Sequence, residues 1–234
     1  KNHLDLYIGI YKQCQKKWQK MSSYQLIKDT LYDKDINFQV MMKWEKPYMK
    51  KLINNLNPKG DVLEIGFGFG YSADEIQKYN IKSHTIIEPI VFEEAKNWGK
   101  KQKHKVKIVK GYWQDVLKKL KTFDTIFFDD APSKKYEDKN NIRVYQFFYK
   151  VLQKHVNKNA VMSWYLDEPI YWLCHPDIEY SIKDFIFKAP KHCQYHKKNI
   201  MYLPVIKFKK GIIKDNLSKI ALDKYLNIKK LNEF

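Results

Sequence analysis

Three glycines at alternate positions follow an apolar run in the stretch DVLEIGFGFGYS: Gly66, Gly68 and Gly70. They remove side chains where a backbone must turn sharply and approach a ligand. The G-x-G-x-G spacing is one residue short of the pattern that sets a helix dipole under a pyrophosphate, which favours a nucleoside without phosphates. Glu88 ends the next apolar run, HTIIE, where a carboxylate accepts hydrogens from ribose hydroxyls. A third run leads into KGYWQD. There Gly111, Tyr112 and Trp113 are candidate adenine neighbours and Asp115 a candidate acceptor for the adenine amine; for the two aromatics the alternative is plain core packing. A fourth run, FDTIFF, ends in Asp129 and Asp130, and an acid leaving an apolar strand is costly without a partner.

These groups need a scaffold that brings several strand ends to one edge. From residue 61 short apolar runs alternate with amphipathic segments, the pattern of βα units around a mostly parallel sheet. Strands are expected at 62–65, 85–87, 106–109, 125–129 and 160–165. Helices are expected between them at about 72–79, 91–101, 113–120 and 144–155, the first opened by a capping box from Ser72 to Glu75. An antiparallel pair at 181–187 and 199–208 completes seven strands. Upstream, Pro47 suits the first turn of a helix ending near residue 56. Residues 1–40 read as two helices, with Leu26, Ile27, Thr30 and Leu31 as one buried stripe. Residues 213–229 carry Ile213, Leu217, Ile220, Ala221 and Tyr225 at helical spacing. The expected fold is one Rossmann-like α/β domain: an N-terminal helical cap over 1–57, a core sheet over 58–210 and a C-terminal helix over 211–234.

At 234 residues, with 44% hydrophobic and 15% aromatic content, the chain is rich enough in apolar side chains to fold despite its charge. No apolar run approaches the roughly 20 residues that span a bilayer, so a cytoplasmic protein without a membrane partner is expected. Cys14, Cys174 and Cys193 have no C-x-x-C spacing and suggest neither a metal site nor a disulfide framework. The net charge of +18 invites a polyanion. However, 43 of the 44 basic residues are lysines scattered along the chain, Arg143 being the exception. No nucleic-acid recognition signature appears, and the richness in Lys, Ile, Asn and Tyr matches the drift of an AT-rich genome. The sequence leaves the oligomeric state open.

The strings KWEKPYM (43–49), LEIGFGFG (63–70), HTIIEP (84–89), KGYWQDV (110–116), FDTIFFDDAP (123–132) and YQFF (145–148), with CQYHKKNIMYLPV further on, resemble guanidinoacetate N-methyltransferase in order and spacing. Cys14, Trp18 and Tyr24 fit the same pattern, so the resemblance runs from about residue 14 to 204. It implies a class I methyltransferase fold that uses S-adenosylmethionine and releases S-adenosylhomocysteine. The implied cofactor contacts are Glu64, Gly66, Gly68 and Glu88, then Gly111, Tyr112, Trp113 and Asp129. It also implies that Glu45 and Asp129 hold the guanidine, with Trp44, Tyr48 and Asp130 beside them. The chemistry agrees: a planar guanidinium presents forked donors that a carboxylate accepts in parallel. A guanidinium has no free lone pair until a proton leaves, so one carboxylate must accept it. Asp129 is assigned that task and Glu45 the clamp.

Where the resemblance implies reception of the substrate's carboxylate, this chain reads SWYLDEP, with Asp167 and Glu168. Two acids there oppose an anionic tail unless they face solvent. Arg143 is the competing consideration, since a forked cation in the cleft suits a carboxylate. Three readings follow: methylation of a small-molecule guanidine, of an arginine side chain in a peptide or protein, or retention of the fold as a non-catalytic S-adenosylmethionine-binding module.

Overall fold

The computed structural model describes residues 24–34, 37–131, 143–169 and 176–212. The expected helices within 1–23 and 213–229, and with them Cys14, Trp18 and Cys174, lie outside the described residues.

The core is a seven-stranded sheet: β4 (Gly60–Ile65), β5 (Ile81–Glu88), β6 (Lys105–Lys110), β7 (Phe123–Phe128), β8 (Val156–Trp164), β9 (Ile178–Ile186) and β10 (Ile200–Phe208), in the order β6-β5-β4-β7-β8-β10-β9. The strands from β6 through β8 pair in parallel, and β10 is antiparallel to both β8 and β9. All seven expected strands are present. The helices α1 (Lys46–Leu56), α2 (Tyr71–Ile76), α3 (Phe92–Gly99), α4 (Trp113–Val116) and α5 (Arg143–Lys154) connect or cover them. Apolar side chains fill both faces, with Leu63, Ile126 and Met162 in one cluster and Val62, Ile86 and Phe127 in the other. That is why these strands read as near-continuous apolar runs.

Residues 24–42 depart from the helical expectation. They form a three-stranded antiparallel sheet of β1 (Tyr24–Ile27), β2 (Thr30–Asp33) and β3 (Phe38–Met42). The first turn has Lys28 at φ 55° and the second Asn37 at φ 50°, positions where a right-handed helix cannot continue. Over so short a window the stripe of Leu26, Ile27, Thr30 and Leu31 satisfies either period; in the fold Leu31 is buried while Ile27 is 45% exposed. The capping box is also absent: α2 starts after Gly70 in the left-handed region, the Ser72 hydroxyl donates to Glu64, and Glu75 pairs with Lys78.

Three backbone bonds level the carboxyl ends of the parallel strands: Gly66 N–H to Ile87 O (3.0 Å), Asp129 N–H to Ile65 O (3.0 Å) and Tyr165 N–H to Phe128 O (3.2 Å). They set the glycine turn, Glu88, Asp129 and Tyr165 along one edge, where ligands of open α/β sheets bind.

Candidate active site

That edge opens into a cavity of about 350 Å³ lined by the glycine turn, the ends of β5, β7 and β8, the small N-terminal sheet and Tyr195, a volume in the range of small-molecule sites. Gly66 adopts φ 84°, and a Cβ there would lie 2.1 Å from the Asp129 carbonyl oxygen; the close approach of the β4 and β7 ends therefore requires glycine. Gly68, at φ 52°, would drive a Cβ to 2.6 Å from the Met41 sulfur, so the small sheet closes directly over the turn.

Glu88 is buried and organises that turn. One oxygen accepts from Phe67 N–H (2.8 Å), the other from Ile90 N–H (2.7 Å) and Val91 N–H (2.9 Å). A carboxylate has about four acceptor positions, so about one is left for a further donor such as a ribose hydroxyl. Glu64 does not line the cavity: it is fully buried, accepts from Ser72, and has an oxygen 2.8 Å from His84 Nε2. Tyr112 lines the cavity, whereas Gly111 only shapes the bend behind it. Trp113 reaches the cavity but is 2% exposed, packs edge-on against Phe147 with centroids 5.3 Å apart, and donates to Asp130; most of it is core. Asp115 is exposed and outside the lining. Its neighbour Gln114 lines the cavity instead, with a buried Oε1 that has no hydrogen-bond partner among the described residues. An orphaned acceptor there suits a donor such as an adenine amine.

Glu45 and Asp129 share the same cavity. Glu45 is 3% exposed, and its Oε1 accepts from Met42 N–H (2.7 Å) and from the Tyr195 hydroxyl. Burial, and then the charge of Asp129, push its carboxyl up to about 8. Burial, with Glu64 and Asp130 nearby, lifts Asp129 to about 7. No cation among the described residues pairs with either acid. Two recessed acids in one cavity, with the charge of Asp129 raising the proton affinity of Glu45, make a setting that favours a cation.

The remaining expected substrate contacts divide. Trp44 lies outside the lining, tilted against Phe187 (5.3 Å) and stacked on His196 (5.9 Å). Tyr48 is fully buried; its hydroxyl donates to Tyr202 O (2.7 Å) and accepts from Leu166 N–H (3.1 Å), which fixes the segment after β8. Asp130 lines the cavity with one oxygen on Arg143 Nε (2.9 Å) and the other on Trp113, and so braces the wall. Arg143 reaches the cavity already paired. Asp167 and Glu168 both line the mouth, Asp167 half-buried with its carboxyl pushed up by burial, Glu168 exposed and paired with Lys198. Sequence reasoning missed Gln39, Gln114, Tyr165 and Tyr195.

With this geometry in view, comparison with known proteins is specific. The family model for guanidinoacetate N-methyltransferase matches residues 8–167. The chain belongs to that family. Relatives include protein arginine N-methyltransferase 2 of Candida glabrata, 34% identical over 182 residues that cover 71% of this chain and 42% of that protein. The protein of the same name from Saccharomyces cerevisiae is 34% identical over 122 residues, 47% of this chain and 30% of that one. The chain thus spans less than half the length of these relatives. Among solved structures, spermidine synthase from Thermotoga maritima superposes with a TM-score of 0.50 at 16% identity, covering 80% of this chain and 72% of that one. This likeness concerns the fold alone. Glu45 and Asp129, the two acids that the sequence resemblance assigned to the guanidine, line one cavity together with Asp167 and the paired Asp130 and Arg143.

Proposed function

We propose that this protein is an S-adenosylmethionine-dependent methyltransferase acting on a guanidine nitrogen. The observation that carries the reading is the pair of recessed carboxylates, Glu45 and Asp129, in one cavity with no cation paired to either acid among the described residues. A guanidinium fits such a pair because its planar fork of N–H donors satisfies two carboxylates at once and neutralises their repulsion.

The other end of the cavity fits a nucleoside: a glycine turn bare of side chains, one acceptor position left on Glu88, Tyr112 in the wall, and the orphaned Gln114 Oε1. S-adenosylmethionine supplies a methyl group already activated on a sulfonium. The protein's part is alignment and proton transfer. Glu45 fixes the guanidinium in position and rotation. Asp129, whose proton affinity lies close to neutrality, takes the proton that leaves the reacting nitrogen, so that the nitrogen's lone pair can form the new N–C bond. Methionine-derived sulfur leaves as the neutral thioether of S-adenosylhomocysteine.

The substrate tail meets Asp167 rather than a free cation, because Arg143 is engaged by Asp130. This supports a small guanidine whose tail lacks a nearby carboxylate, with guanidinoacetate itself a poor substrate. A second reading, an arginine side chain in a peptide or protein, is supported by the relatives named protein arginine N-methyltransferase 2; an arginine residue also carries no carboxylate near its guanidine. Glu45→Gln and Asp129→Asn should each lower turnover by about 10²-fold or more while calorimetry finds S-adenosylmethionine affinity unchanged. Near-normal turnover in both variants returns the two acids to a structural role.

A further inference from the structure

Glu45 sits just past β3, in a single 3-10 turn over Lys43–Glu45, yet the group that meets its carboxylate comes from the far end of the chain. Tyr195 belongs to the segment between β9 and β10, and its hydroxyl donates to Glu45 Oε1. The Met42 N–H uses the same oxygen. Oε2 therefore has no hydrogen-bond partner among the described residues and is the oxygen available to a ligand.

The segment carrying Tyr195 is tied down rather than draped. Gln39 N–H donates to Gln194 Oε1 (3.2 Å) and Gln194 N–H returns the bond to Gln39 Oε1 (2.7 Å). Gln39 Nε2 also donates to His192 O (3.1 Å). Gln39 is 2% exposed, so breaking this clasp strands buried polar groups. Trp44 then stacks against both Tyr195 and His196. The clasp fixes the segment to β3, the strand that leads into Glu45, so Tyr195 and its carboxylate partner are held by one local frame.

We propose that Tyr195 is a positioning residue for Glu45: held by the Gln39–Gln194 clasp, it ties down one carboxylate oxygen and leaves the other for the guanidine. This rests on the role given to Glu45 above. The groups facing Glu45 are Asp129 at the end of β7, Tyr48 on α1, Tyr165 after β8, and Tyr195. Burial and Asp129 raise its proton affinity, whereas the donors from Tyr195 and Met42 oppose them. The tyrosine itself stays protonated, because burial and Glu45 push its own titration far up.

The test is a carbon-13 NMR titration of the Glu45 carboxyl in the ligand-free protein, wild type against Tyr195→Phe. A hydrogen bond to a charged group corresponds to roughly one to two pH units, so the midpoint is expected to rise by about that much. The acid limb of kcat/KM on a guanidine substrate should rise with it, activity recovering at higher pH, and cofactor affinity should not change. If Tyr195→Phe does not fold, Gln39→Leu, which opens the clasp, should move the midpoint the same way by less. A lowered melting temperature with an unmoved Glu45 midpoint overturns the inference. A wild-type protein that methylates no guanidine overturns the functional reading instead, and because the titration needs no substrate the two failures are distinct.

Discussion

Replacing Glu45 by glutamine keeps the shape of the side chain and the acceptor for Met42 and Tyr195 but removes the charge. In the folded, ligand-free protein the carboxyl titrates near 8 instead of its ordinary 4.5, so the folded state binds a proton that the unfolded chain has already released. The sign follows: stability from this group is fully present below about pH 4.5 and is lost as pH rises through about 8. Between about pH 6 and about pH 8.5 the loss is on the order of 2–3 kcal/mol, or roughly 5–10 °C in melting temperature for a domain of this size. Glu45→Gln has no such proton to lose. Thermal denaturation across that range should therefore show a wild type that weakens with pH and a variant with a flatter profile, the two crossing so that the variant is the more stable above about pH 8. A guanidinium ligand should restore the wild type alone. If the profiles stay parallel, with the variant weaker throughout, Glu45 is not a desolvated acid waiting for a cation, and the reasoning fails.

Gln114→Leu removes an orphaned acceptor from the cavity wall, so it should lower S-adenosylmethionine affinity by about 5-fold in calorimetry while melting temperature holds or rises. Gly66→Ala forces a Cβ against the Asp129 carbonyl in a backbone region that disfavours side chains. It should cost at least about 1–3 kcal/mol in denaturant titration, and turnover should fall further than cofactor binding because Asp129 is displaced. Asp167→Asn removes the acid at the tail end of the site, so the ratio of kcat/KM for guanidinoacetate over agmatine should rise by about 10-fold or more; an unchanged ratio means Asp167 does not read the tail.

The parallel sheet was legible because each buried strand is a continuous apolar run ended by a chemically distinctive residue, as in VLEI before Gly66 or FDTIFF before Asp129. The β9–β10 pair was legible too, although β9 exposes alternate residues. The small N-terminal sheet was not, since its strands have only four or five residues and the period of so short a run is ambiguous. The site divides on the same physical ground. Residues displayed at strand ends, such as Glu88 and Asp129, announce themselves locally. Tyr195 meets Glu45 across 150 positions, and no local pattern encodes that meeting. Gln114 and Asp115 differ only in which way one turn of α4 points them, about 100° apart, and the sequence pointed to the one that lies outside the cavity lining. Arg143 illustrates the converse: its type was legible, but its engagement by Asp130 belongs to the tertiary fold.

The central claim is tested most directly by incubating the protein with methyl-labelled S-adenosylmethionine and a panel of agmatine, guanidinoacetate, free arginine and an arginine peptide, and locating the label by fragmentation mass spectrometry. The account predicts label on a guanidine nitrogen of at least one of them, lost in Asp129→Asn although that variant still binds the cofactor. Cofactor binding without methylation of any guanidine, or label found only on oxygen or carbon, contradicts it.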